Sequence, residues 1–331
     1  EDVNRAVASG LKAFESGVWS EMNPRDKKKI MLKWAQLLND HHEELALLET
    51  LDVGKPISDS LSVDSQNMPR VIQWYAETID KTYDEIAPSP RNGLAMITRE
   101  PLGVIGAVVP WNYPMMITSW KVAPALAMGN SIVVKPAENS SLSALRMAEL
   151  AIEAGLPEGV FNVVPGLGAE AGQALARHMD VAKLAFTGSG PTGRKMMQYA
   201  AESNMKQVSL ELGGKSPQVV LNDCTDLEAA ASTIAWAIYY NAGQTCNAGS
   251  RIIVEKGVKA AVVTNAVVGA TTNVAGDTTT KILTGQEVTA AEAARALVAG
   301  GVGGNFKNPV VQSGVTEGLN AVPVDSKNSN K

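Results

Sequence analysis

Val104-Ile105-Gly106-Ala107-Val108-Val109-Pro110-Trp111-Asn112 is the stretch that decides the fold class. Its first six residues are apolar and largely β-branched, which predicts a buried strand, and the proline and asparagine that follow end it in a turn. Apolar spacing then predicts a helix over 114–128 and a second strand over 131–135. The same alternation continues: helix 141–154, strand 161–164, helix 169–178, strand 182–187, helix 191–203, strands 206–211 and 217–221, helix 226–240 and strand 251–255. Short strands alternating with longer helices imply an α/β protein with a mostly parallel, Rossmann-like sheet covered on both faces. Ligands in such folds gather beyond the carboxyl ends of the strands. Polar signals sit in those places: Pro110-Trp111-Asn112, Lys135-Pro136-Ala137-Glu138, Thr187-Gly188-Ser189 and Glu211.

Upstream, residues 1–83 read as helical. Asn23 suits a helix N-cap and Pro24 the first helical position. Ile30, Leu32, Trp34, Leu37 and Leu38 follow at roughly helical spacing, and Glu43–Leu51 continues until Gly54-Lys55-Pro56 stops it. Val71, Ile72, Trp74, Tyr75 and Ile79 form a further apolar face, and core packing is the expected role of these aromatics. Leu94–Arg99 is expected to be a strand. Downstream, residues 257–331 contain no Met, Trp, Tyr, Cys or His, although the chain holds 12 Met, 6 Trp and 6 Tyr. One helical piece is expected around Ala290–Val298, broken by Gly300–Gly304, and Asp325–Lys331 reads as a frayed end.

The 331 residues suffice for two ordinary domains, and 45% hydrophobic with 19% charged residues is a soluble globular composition. A net charge of -5 with dispersed basic residues excludes a nucleic-acid footprint. No apolar run approaches the ~20 residues of a membrane span, and no signal peptide is expected from the opening residues. The two cysteines, Cys224 and Cys246, form neither a disulfide framework nor a metal pattern, so a reducing cytoplasm is expected. The three histidines are scattered, and no metal site is expected.

The chemistry concentrates between Ser209 and Cys246, a stretch with an acid, Glu211, near one end and a thiol at the other. A thiolate can form a covalent adduct and a carboxylate can activate water to break it, as in acyl transfer through a thioester. Gly188-Ser189-Gly190-Pro191-Thr192-Gly193 follows a strand and opens a helix, so its backbone N–H groups can hold a pyrophosphate. Two acids compete for the ribose of such a dinucleotide: Glu211, and Glu138 beyond the strand that ends at Lys135. At Glu138 a carboxylate would also repel a 2′-phosphate, favouring NAD over NADP. Asn112 can donate to a developing oxyanion, although a turn asparagine is commonplace. Cys246 lies in a loop between Gly243 and Gly249. Cys224 is flanked by Asp223 and Asp226, which oppose thiolate formation and suit it to an inert role.

Five segments in order, Pro110–Pro114, Lys135–Glu138, Phe186–Gly193, Leu210–Ser216 and Gly243–Cys246, make residues 1 to about 255 resemble the aldehyde dehydrogenase superfamily. The text at Glu44–Asp52 and Trp74-Tyr75-Ala76-Glu77 is most similar to the branch acting on γ-glutamylaminobutyraldehyde and guanidinobutyraldehyde. The resemblance implies that Cys246 attacks an aldehyde and that the Asn112 amide and the Cys246 N–H hold the oxyanion. Glu211 would activate the hydrolytic water, and Lys121 would relay a proton or fix Asn112. It implies NAD as cofactor, with Lys135 and Glu138 on the adenosine ribose. Thr187, Gly188, Ser189 and Gly193 would lie about the pyrophosphate, and Trp111 and Leu212 would line the cofactor cleft. The implied domains are 1–211 for NAD binding and 212–331 for catalysis. The implied assembly is a homodimer or homotetramer using the strand near 94–99. After Glu255 neither the Glu-Ile-Phe-Gly-Pro nor the Pro-Phe-Gly-Gly segment of that family is found, so the catalytic domain reads as incomplete. The alternative is a non-catalytic dehydrogenase fragment that binds nucleotide or self-associates.

Overall fold

The computed structural model describes residues 1–271. The chain divides into two compact units, the first Glu1–Leu212 and the second beginning at Gly213.

The first unit opens with helices α1 (Asp2–Glu15), α2 (Pro24–Asp40) and α3 (His42–Val53), a short turn α4 (Ile57–Asp59), a π-turn at Ser60–Asp64, and α5 (Ser65–Thr78). The Asn23 side chain accepts the Arg25 N–H at 3.0 Å and Pro24 fills the first turn, as the sequence predicts. Gly54, with φ 71°, ends α3 in a left-handed cap that a side chain would strain. Trp19 and Trp34 are fully buried, and each spends its indole N–H on a carbonyl, Leu126 at 2.9 Å and Met147 at 3.0 Å. Trp74 departs from expectation. The buried stripe of α5 runs through Met68, Ile72 and Ala76, leaving Trp74 on the opposite side, 59% exposed and edge-on to Tyr75.

A hairpin follows, β1 (Glu85–Ala87) against β2 (Ala95–Ile97), antiparallel with Ile86 opposite Met96. The expected strand over Leu94–Arg99 is thus shorter. Arg99 leaves the ladder, its backbone N–H bound to Asp84 at 2.9 Å and its guanidinium to the Tyr83 carbonyl and the Glu85 carboxylate.

The sheet is built from β3 (Val104–Val108), β4 (Ser131–Lys135), β5 (Phe161–Val163), β6 (Val181–Gly188) and β7 (Gln207–Leu212). The intervening helices are α6 (Pro114–Ala127), α7 (Leu142–Ala154), α8 (Gln173–Arg177) and α9 (Gly190–Ala201). All pairings are parallel, in the order β5-β4-β3-β6-β7. The helix expected over 169–178 begins as a π-turn at Gly168–Gly172, where two glycines weaken helix propensity. Val3 and Val7 of α1 join Val104, Val108, Val133, Leu184, Phe186, Leu175 and Met196 in one core. In the middle of β3, a Cβ on Gly106 would stand 3.2 Å from both Leu175 and Val181, so glycine there lets α8 close down on the sheet.

In the second unit β8 (Pro217–Val220) runs parallel to β9 (Arg251–Val254), separated by α10 (Leu227–Tyr239) and a 3₁₀ turn at Tyr240–Gly243. Val220, Ile234 and Val262 form its core. Helix α11 (Lys259–Thr271) begins in the composition-poor region where no helix was expected before Ala290. Its Ala- and Val-rich text carries little amphipathic contrast. The helical piece expected at Ala290–Val298 and the frayed end at Asp325–Lys331 lie outside the described residues.

Candidate active site

The register of the sheet aligns its carboxyl edge. Lys135 of β4 pairs with Val108 of β3, Val108 with Phe186 of β6, and Phe186 with Leu210 of β7. One residue further on, Thr187 pairs with Glu211, and then Gly188 with Leu212. The strand order reverses at β3, whose neighbours are β4 and β6, and a crevice beyond such a switch point is where open α/β sheets take ligands. The unit thus brings Trp111, Asn112, Lys135, Glu138, Thr187, Gly188, Ser189, Glu211 and Leu212 to a single edge.

At the end of β3, the Val109 N–H donates to the Lys135 carbonyl at 3.1 Å before Pro110 turns the chain. Trp111 is 40% exposed, Asn112 is half-buried and Tyr113 is buried as the residue preceding α6. Lys121, on α6, is partly buried. Its pKa is lowered by desolvation and pulled back up by the negative charge of Glu211, so the structure places these two groups in each other's field. Glu211 itself is exposed.

Lys135 is 2% exposed and reaches the Glu138 carboxylate at 3.1 Å, while Glu138 faces solvent. Its own backbone N–H, first, and then the Lys135 ammonium hold the Glu138 carboxyl below its ordinary pKa. Glu138 therefore stays an acceptor at neutral pH, as a ligand for two sugar hydroxyls must.

Ser189 is the N-cap of α9. Its Oγ accepts the Thr192 N–H at 3.4 Å and donates to Thr192 Oγ1 at 2.9 Å, and Pro191 fills the first turn. The start of α9 is exposed at Ser189 and Pro191, with the positive end of the helix dipole outward. Gly193 has a different setting: it is buried, and a Cβ would lie 2.8 Å from Leu212 Cδ2. Close packing of helix on strand is the physical demand for glycine there.

In the second unit Cys246 is exposed and follows the 3₁₀ turn, in which Asn241 and Ala242 hold left-handed φ of 51° and 56°. A Cβ on Gly214 would stand 2.8 Å from the Cys246 carbonyl, so the second glycine of Gly213-Gly214 lets these two backbones meet. Cys224 donates its thiol hydrogen to the Asp226 carbonyl at 3.6 Å. The Asp226 carboxylate meanwhile caps α10 by accepting the Ala229 N–H at 2.9 Å. Among the described residues, no group of three or more His, Cys, Asp or Glu side chains is placed to hold a metal ion. No helix among them is long and apolar enough to cross a membrane.

One constellation was not anticipated from the sequence. Beneath the Trp111–Asn112–Tyr113 corner, Lys55 Nζ lies 3.1 Å from Glu49 Oε1 and 2.7 Å from Asp64 Oδ2, with all three side chains at most 1% exposed. Lys55 also sits 4.0 Å from the Tyr113 ring centroid, and Glu49 Oε2 accepts the Met115 N–H at 3.2 Å. The hint available was a lysine at a helix stop and two acids near apolar helix faces. Charges in those positions are ordinarily solvated.

The family model for the aldehyde dehydrogenase family matches residues 1–320, and the chain belongs to that family. The match continues past Glu255, where the recognisable motifs end. Over 257 residues the chain is 54% identical to the NADP/NAD-dependent aldehyde dehydrogenase PuuC of Escherichia coli K12, covering 78% of this chain and 52% of that protein. A Burkholderia cenocepacia structure of γ-glutamyl-γ-aminobutyraldehyde dehydrogenase superposes with a TM-score of 0.80 at 53% identity, over 83% of this chain and 56% of that one. The Pseudomonas syringae indole-3-acetaldehyde dehydrogenase, solved as a cysteine-to-alanine mutant with NAD+ and IAA, does so with a TM-score of 0.80 at 52% identity, over 81% and 54%. The chain spans about half the length of the relatives it matches.

Proposed function

We propose that this chain serves an NAD-dependent aldehyde dehydrogenase that oxidises an aldehyde, of the ω-amino or guanidino class, to the carboxylic acid. The observation that carries the reading is the common carboxyl edge where Asn112, the Lys135–Glu138 pair, the start of α9 and Glu211 meet. The residues present fit a dinucleotide. The outward end of α9 with Ser189 suits a pyrophosphate, and the ionised, solvent-facing Glu138 suits the adenosine ribose, with Lys135 holding it. Glu138 in that role leaves Glu211 for the chemistry. Bound there, NAD would accept the hydride of the aldehyde carbon.

The chain's own residues do the rest. The Cys246 thiolate adds to the carbonyl carbon, and the resulting oxyanion is held by the Asn112 amide and the Cys246 N–H. Once the carbon has been oxidised to the thioester level, Glu211 takes a proton from water as its oxygen attacks. The C–S bond breaks, acid leaves and the thiolate is regenerated. Lys121, within the field of Glu211, serves as proton relay or as support for Asn112. Trp111, Thr187 and Leu212 border the cofactor. Residues 1–211 would be the NAD-binding domain and 212–331 the catalytic one. The strand near 94–99 would form part of a dimer or tetramer contact, in a reducing cytoplasm.

NADH formation with γ-glutamylaminobutyraldehyde and guanidinobutyraldehyde tests the reading. Expected are turnover in the wild type, none in Cys246→Ala with NAD binding kept, and a burst followed by slow turnover in Glu211→Gln. Activity surviving in Cys246→Ala would sink the nucleophile assignment. A second reading is a dehydrogenase that binds nucleotide without catalysis, and NAD binding with no NADH from any aldehyde would select it.

A further inference from the structure

The corner carrying Asn112 rests on charge. Two carboxylates and one ammonium in a dry site would leave one negative charge uncompensated, which burial strongly disfavours. Asp64 and Glu49 lie within hydrogen-bonding reach of each other, and Asp64 Oδ1 is buried without a donor among the described residues. Two carboxyl groups can satisfy both facts when one of them carries a proton. The cluster also grips the corner from two sides, through the Met115 N–H on Glu49 and the Tyr113 ring over Lys55. Asn112 immediately precedes these two anchors' segment.

We propose that Glu49, Lys55 and Asp64 form a positioning device for the Asn112 corner, with one proton shared between the two carboxyl groups. This rests on the reading of Asn112 as the oxyanion donor. None of the three residues touches the reacting atoms: they act through the backbone of 113–115. Desolvation, first, and then the Asp64 charge raise Glu49 to about 7 against the pull of Lys55, and Asp64 is likewise raised, with Asp59 adding negative charge beside it. A local opening that wets the cluster returns Glu49 to its ordinary range, so opening becomes easier as pH rises. Between pH 6 and 8 the opening equilibrium should grow about tenfold.

Hydrogen exchange resolved to the peptide spanning 110–118, with 131–135 of β4 as internal control, reads this without any activity. In Glu49→Leu, exchange at 110–118 should rise at least tenfold with β4 unchanged. Glu49→Gln, which mimics the protonated form and still accepts from Met115, should keep the corner protected. Equal behaviour of the two variants, or loss of protection in β4 as well, would overturn the proposal. Should Glu49→Leu fail to fold, the pH series decides in its place. After correction for intrinsic rates, the wild-type corner should loosen from pH 6 to 8 and that of Glu49→Gln should not, and identical courses would overturn it. Where turnover is measurable, Glu49→Leu should lower kcat at least tenfold with KM little changed, and less than twofold in an Asn112→Ala background. An equal loss in both backgrounds would mark a merely structural role. Absence of turnover in the wild type would count against the enzyme reading and leave the exchange result to stand.

Discussion

Replacing Ser189 by aspartate separates the structural work of the α9 start from its proposed ligand. The serine is a weak cap, its Oγ 3.4 Å from the Thr192 N–H, and it is solvent-exposed. Aspartate is at least as good an N-cap, and a negative charge at a helix N-terminus adds about 0.3–1 kcal/mol. Stability should therefore hold or rise by up to about 1 kcal/mol. A pyrophosphate cradled by the same N–H groups would lie roughly 5 Å from the new carboxylate. At an effective dielectric of about 20 that repulsion is about 3 kcal/mol, and screening at an exposed site reduces it to about 2 kcal/mol. In Kd this is roughly thirtyfold. Urea denaturation and NAD calorimetry on Ser189→Asp read the two effects separately, and added salt should recover part of the affinity. A variant that is as stable as the wild type and binds NAD equally well would refute a pyrophosphate at α9. Parallel loss of both would show damage to the fold and refute the capping argument.

Other expectations are more local. Asn130 Oδ1 accepts the Leu102 N–H at 2.7 Å and the Gly103 N–H at 3.2 Å, and its amide reaches the Ala125 carbonyl at 3.1 Å. Asn130→Ala orphans a buried N–H and should lower the unfolding free energy by about 2–4 kcal/mol in urea melts; a loss under 1 would show that another donor or acceptor replaces the amide. Glu49 carries a raised pKa of about 7 in the folded chain, so its contribution to stability is full below its unfolded value and lost as pH rises through about 7. The difference in urea stability between pH 5 and pH 8 should include about 2–3 kcal/mol that Glu49→Gln abolishes, and an unchanged pH dependence in that variant would contradict the assignment.

The centre of the sheet was legible because β3 and β4 are buried on both faces. Val104–Val109 and Ile132–Val134 are continuous apolar runs, and burial of every residue in β3 and β4 is what such runs encode. The edge residue Lys135 was legible for a related reason, standing where an apolar run abruptly turns polar. Glu85–Ala87 gave no such signal. It is a short, exposed strand whose partner among the described residues is another exposed strand, so no hydrophobic pattern had to be preserved. The Lys55 cluster was hidden for the opposite reason. Its charges belong to three separate chain segments, and a stop signal such as Gly54-Lys55-Pro56 looks the same whether its lysine meets water or two carboxylates. Trp74 shows the limit of reading by residue type, since helical phase decides which aromatic enters the core.

The order of the sheet also bears on how the chain emerges during synthesis. β3 is the first of its strands to appear and ends at the centre, yet only one of its flanks can be covered by the strand made next. The other flank waits through all of β4, α7, β5 and α8 until Val181–Gly188 arrives. For that interval a fully apolar strand presents an open ladder edge, the kind of surface that recruits another chain. A growing polypeptide halted before β6 should therefore depend on chaperones, and its release from them should follow the completion of β6.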